Sequence, residues 1–123
     1  MIILDTISID DAPGSVYAIP GEEMLGMGQY RKTAHEVEIV QMLEICSLLG
    51  RIAEVTIVGI IPQDIETVEI GLTDVMIQSF DGYCHAILKV LESKGHKVDQ
   101  KDEPTSLETI IGGWHTQRIT ADG

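Results

Sequence analysis

The chain has 123 residues, 44% of them apolar, and eight Lys and Arg set against twenty Asp and Glu, a formal net charge of −12. That length supports one domain with one hydrophobic core. No apolar run reaches the 18 residues that would span a membrane, and an acidic surface without a basic cluster repels phosphate backbones, which excludes membrane and nucleic-acid partners. The opening "MIILDTISIDD" has no basic region ahead of its apolar run and no small-residue cleavage site, so a signal peptide is not expected. Cys46 and Cys84 fall inside apolar helical patterns and read as buried thiols, which fits a reducing cytoplasm.

"MIILDTI" is a short apolar strand interrupted by Asp5. "SIDDAPGS" is a loop turning at Pro13-Gly14, and "SVYAI" is a strand ended by Pro20-Gly21. "EEMLGMGQYRK" is irregular and reads as a loop over residues 21–32. "TAHE" fits a capping box, with Thr33 as N-cap and Glu36 three residues on. Val37, Val40 and Leu43 follow at helical spacing, flanked by Ile39, Met42 and Cys46, and Gly50 closes this helix.

"EVTIVGIIP" is the clearest strand: Val and Ile dominate without alternation, as in the middle of a parallel sheet. After the acidic loop "QDIETVEIG", Thr73 caps a second long helix whose buried stripe is expected to be Ile77, Phe80, Cys84, Ile87 and Leu91, ending at Lys94-Gly95. "HKVDQ" suggests a short edge strand. The order of elements describes an α/β layered domain over residues 1–100, followed by a polar tail, 101–123, that contains Trp114. Its sheet is thin, and exposed strand edges invite pairing with a second copy.

In open α/β sheets, ligands bind beyond the carboxyl ends of the strands. Asp5 is near the end of the first strand, and His35 is in the first turn of the helix that follows. The positive end of that helix disfavours an imidazolium, so His35 tends to stay neutral, the form that ligates metals. A carboxylate oxygen beside an imidazole nitrogen suits nickel, zinc or similar ions. Metal sites ordinarily take at least three protein ligands, and the candidate thirds are Asp10, Asp11, Glu66 and Glu69. Equally ordinary readings are a solvated strand end for Asp5 and a surface histidine for His35. His85, His96 and His115 read as surface, and no HExxH, GxGxxG, P-loop or GxSxG pattern occurs.

"IILDTISIDDAPGSVY", "TAHEVEIVQMLEICSLLG" and "VTIVGIIPQDIETVEIGLTDVMIQSFDGYCHAILKVLESKG", in this order over about residues 2–95, resemble the hydrogenase maturation proteases. The resemblance implies a three-layer helix–sheet–helix fold of the phosphorylase/hydrolase-like type. It implies a cytoplasmic endopeptidase that removes the C-terminal extension of the nickel-iron hydrogenase large-subunit precursor. Asp5 and His35 match two of the family's three metal-binding positions and would act as its catalytic pair, on nickel supplied by the substrate. In the family a glycine-rich strand, an acidic pair carrying the third ligand, a strand and a helix come before this aspartate, and none has a counterpart here. Weak metal binding and little processing are therefore expected of these 123 residues. The alternatives are a non-catalytic interaction protein that keeps the recognition surface, and a plain α/β ligand-binding domain.

Overall fold

The computed structural model describes residues 1–27, 34–106 and 108–110, and only the backbone of 34–36. Strands β1 (Ile2–Thr6), β2 (Val16–Pro20) and β3 (Thr56–Ile60) form one sheet in the order β1-β3-β2. The central strand β3 runs parallel to β1 and antiparallel to β2. The apolar run expected to lie inside a parallel sheet is thus the middle of a mixed one. An unbroken run of Val and Ile reports cover on both faces and says nothing about strand direction.

Side chains alternate across the sheet. Ile57 and Ile61 point to one face, where they join Ile7, Ile19, Ile52, Val55 and Leu43 in the core cluster. Helix α1 (Gly21–Gly26) and helix α2 (Ala34–Leu48) pack on that face. Val58 and Ile60, also buried, point to the other face, which helix α3 (Asp74–Ser93) covers over β2 and β3. The result is the expected helix–sheet–helix layering. No helix among the described residues is long and apolar enough to cross a membrane.

Both long helices end at the amino end of the sheet. Gly50, at φ +70°, turns the chain out of α2 into a 3-10 turn at Ile52–Glu54 that leads into β3. Lys94 Nζ, just past α3, donates to Glu54 O at 3.3 Å, and the Met1 ammonium donates to the same carbonyl at 2.7 Å. With 15 residues at about 1.5 Å each, α2 carries its first turn, and His35 with it, away from that end.

Several expectations need correction. Residues 21–26 are helical: Gly21 N–H donates to Val55 O at 2.9 Å, and a side chain at Gly21 would press on Ile52 and Val55. Glu22 and Glu23 then sit in the first turn, where the helix dipole favours anions. Residues 96–100 form no strand. Cys46 and Cys84 are free but only half-buried. On α3, Cys84, Ile87 and Leu91 of the expected stripe are half-buried, but Ile77 and Phe80 are 55% and 41% exposed, and Val75, Ser79, Tyr83 and Val90 are half-buried beside them. The helix is turned so that Ser79 fits against Gly14 and Tyr83 reaches the sheet, contacts that hydrophobicity does not register. The Thr33–Glu36 capping box, residues 28–32, Trp114 and His115 lie outside the residues or side chains described. Thr73 caps α3 as expected, its hydroxyl accepting from Met76 N–H at 3.4 Å. In the polar segment, residues 108–110 make one helical turn whose Thr109 N–H donates to Ser106 Oγ.

Gly59 is opposite Asp5 in the β1–β3 register. A Cβ there would be 2.5 Å from Ile7 Cγ2 and under 3 Å from two other Ile7 carbons. These atoms belong to a short branched side chain packed in the core, so it has little room to move. We predict that Gly59→Ala destabilises the fold by about 1–3 kcal/mol. Gly82→Ala, inside α3 with open space around it, is expected to stabilise by about 0.5–1 kcal/mol. Urea unfolding of both variants against wild type checks the opposite signs.

Candidate functional site

Asp5 is the penultimate residue of β1, half-buried at the carboxyl end of the sheet. Its setting follows from the ladder. Ile7 N–H donates to Ile60 O and Thr56 N–H to Met1 O, both at 3.0 Å. The odd-numbered residues of this strand therefore turn their amide and carbonyl groups toward β3, and the parallel register makes Val58 O the acceptor for the Asp5 amide. Thr6 N–H faces the other way, to the edge of β1 that has no neighbouring strand among the described residues, and donates to Asp5 Oδ1 at 2.8 Å. The carboxylate thus caps an edge amide with one oxygen.

The loop after β1 doubles back over the end of β3. Gly14 N–H donates to Ile61 O at 2.8 Å and Ile61 N–H to Ser15 O at 2.9 Å, with Gly14 at φ +89°, the left-handed region that glycine tolerates. Between this loop and the one after β3 is an open cleft of about 440 Å³. Ile7, Ile9, Ile61 and Ile65 make its apolar walls, and Ser8, Asp10 and Gln63 add polar groups. It occupies the place where open α/β sheets bind ligands.

The acidic loops are organised locally. The Tyr17 phenol, followed by the Ala12 amide, holds the Asp11 carboxyl below the ordinary carboxylate range. The Thr67 hydroxyl, followed by the Glu66 and Thr67 amides, does the same for Asp64. Asp11 is engaged by its own loop and by Tyr17 of β2, and Asp64 by its own loop. Asp10, Glu66 and Glu69 are exposed. Among the described residues, which leave out the His35 side chain, no three histidines, cysteines or carboxylates come together as a metal-binding group. His35 is the second residue of α2, and its side chain is outside the description. His85 and His96 are exposed, as expected.

The sequence reading missed Tyr83. From α3 its phenol donates to Val58 O at 2.8 Å, on the same rung as the Asp5 amide. Burial pushes the phenol's pKa up, the Asp5 backbone works against that rise, and the Asp5 carboxylate adds to it. A tyrosine at a four-residue interval from Ser79 and Val75 was the available signal; it is obscured when only aliphatic residues are counted toward the buried face.

The depressed Asp11 pKa has a defined consequence. Its native value lies below the unfolded value of about 3.9, so its stabilising contribution is complete above that unfolded value and is lost as pH falls through the lowered native one. Tyr17→Phe should raise the Asp11 pKa toward the ordinary aspartate value and leave Asp64, held by a different loop, unmoved. Carboxyl-carbon NMR across the acid range measures both.

A family model described as hydrogenase maturation protease matches residues 1–90. Among solved structures, the chain is similar to the hydrogenase maturating endopeptidase HybD from E. coli, with 26% identity and a TM-score of 0.66. The match covers 76% of this chain and 59% of that one, so the chain spans little more than half the length of the structure it resembles. No curated protein matches.

Proposed function

The chain belongs to the hydrogenase maturation protease family, and from that premise we propose that it acts as the endopeptidase that trims the C-terminal extension from a nickel-loaded hydrogenase large-subunit precursor. The observation that carries this reading is the family match running through both β1 with Asp5 and the first turn of α2 with His35. The cleft beside β1 supports it as a place for an extended peptide. Hydrolysis adds water across one peptide bond: the mature subunit keeps the new carboxylate and the extension leaves with a new amino terminus.

In this proposal Asp5 and His35 meet nickel that arrives as the substrate's cargo. Asp5 suits such a part by its place, half-buried one residue from the carboxyl end of β1 and opposite Gly59. The remaining ligands would come from the substrate or from family segments outside this sequence. The acidic loops favour a precursor with a basic docking surface. The two free thiols support a reducing compartment, the cytoplasm.

The test incubates the protein, alone and joined to the amino-terminal segment of a relative, with nickel-loaded precursor and follows loss of the extension by mass spectrometry. The joined form is expected to cleave, and Asp5→Ala or His35→Ala to slow it by about a hundredfold or more. Binding without cleavage in both forms favours the non-catalytic interaction protein instead. Isothermal titration with Ni²⁺ gives a second check. Affinity should fall as pH drops through the histidine range, because a protonated ring cannot ligate, and that dependence should vanish in His35→Ala.

We also propose association through the edge of β1. Among the described residues this strand has β3 as its only neighbour, and Leu4, Ile77 and Phe80 expose apolar surface. Sedimentation equilibrium at micromolar concentration should give a mass above that of the monomer. A single monomeric species that unfolds cooperatively would remove this proposal.

A further inference from the structure

We infer that Tyr83 is a positioning residue for Asp5: its phenol clamps the ladder rung between the Asp5 amide and the Val58 carbonyl from the α3 face, and so fixes how the Asp5 carboxylate leaves the end of the edge strand. This inference rests on the proposed role of Asp5 as a nickel-facing residue.

Three observations converge on it. First, Val58 O already has a partner, because the register gives it the Asp5 amide; Tyr83 supplies a second donor at 2.8 Å. A carbonyl with one ladder bond is satisfied, so the phenol is not there to rescue a buried orphan, and a phenylalanine would fill nearly the same space. Second, the rung needs holding. Among the described residues β1 is paired on one side only, and Asp5 is one residue from its end. Strand ends held by a single neighbour are where local opening is cheapest. Third, the contact joins layers. Tyr83 is on α3, which packs on β2 and β3, and its hydroxyl reaches the backbone of β3 at the rung that β3 shares with Asp5.

The Asp5 side chain and Tyr83 are on opposite faces of the sheet. Ile3 and Ile7, which alternate with Asp5, pack into the core on the α2 side, whereas the phenol comes from α3. The effect therefore passes through the backbone, which is why the role is positioning.

Tyr83→Phe tests it. Amide hydrogen exchange is followed at Asp5 and, as an internal reference on the same strand, at Ile3, alongside Ni²⁺ titration of wild type, Tyr83→Phe and Asp5→Asn. Loss of one hydrogen bond should speed Asp5 exchange about three- to tenfold relative to Ile3 and weaken Ni²⁺ binding by a similar factor. Tyr83→Leu serves as the packing control and should slacken both amides together. An unchanged Asp5-to-Ile3 ratio in Tyr83→Phe would overturn the inference. So would nickel affinity equal to wild type in Tyr83→Phe when Asp5→Asn has lost it. If wild type and Asp5→Asn bind nickel alike, the proposed role of Asp5 fails, while the exchange ratio still decides whether Tyr83 clamps the rung.

Discussion

At Gly59 a β-carbon would come within 2.5 Å of Ile7 Cγ2, and the carboxyl end of the sheet is built around that absence. Because the central strand has no side chain there, Ile7 can fold across it and fill the core. In doing so Ile7 brings the chain leaving β1 close over β3, forms a wall of the cleft, and lets Gly14 and Ser15 bond to Ile61. Asp5, paired opposite the same glycine, is therefore beside packed backbone on one side and, among the described residues, an edge without a neighbouring strand on the other. A larger residue at position 59 would disturb the loop, the cleft wall and the aspartate together.

The sheet separates two kinds of organisation. At its amino end, order is made by charge on a carbonyl: Glu54 O receives both the Met1 ammonium and Lys94 Nζ, and the Glu54 carboxylate bonds to Arg51. At the carboxyl end, order is made by bonds to loop carboxylates, Asp11 through Tyr17 and Asp64 through Thr67. The first arrangement ties the ends of distant elements together. The second keeps each loop defined around its own carboxylate.

Much of this was legible in the residues, and the limits follow from what local patterns encode. Asp5 at a strand end, Thr73 as a cap and the Val-Ile run of β3 depend on neighbours a few positions away. The antiparallel direction of β2 depends on a partner far along the chain, and nothing in "SVYAI" specifies it. The face of α3 was read in part: Cys84, Ile87 and Leu91 are half-buried, but in the first half of the helix Gly14 and the Val58 carbonyl favour Ser79 and Tyr83 over the larger Ile77 and Phe80. Helix α1 was hidden by its bounding glycines, one of which is there because Val55 and Ile52 leave no room for a side chain. For the site, chemistry and topology pointed to Asp5 and His35 but not to the tyrosine beneath, since an acidic residue advertises itself and a backbone clamp does not.

The strand order β1-β3-β2 also governs how the chain can assemble in time. Neither early strand pairs with the other; each waits for β3, which lies far downstream. Every sheet contact is thus of long sequence separation, the class that folds slowly because loop closure precedes any reward. During synthesis Ile2–Leu4 and Val16–Ile19 emerge well before β3, the strand that both pair with. Helical turns can form in that interval, but the ladders of β1 and β2 with β3 can close only once residues 56–60 have emerged.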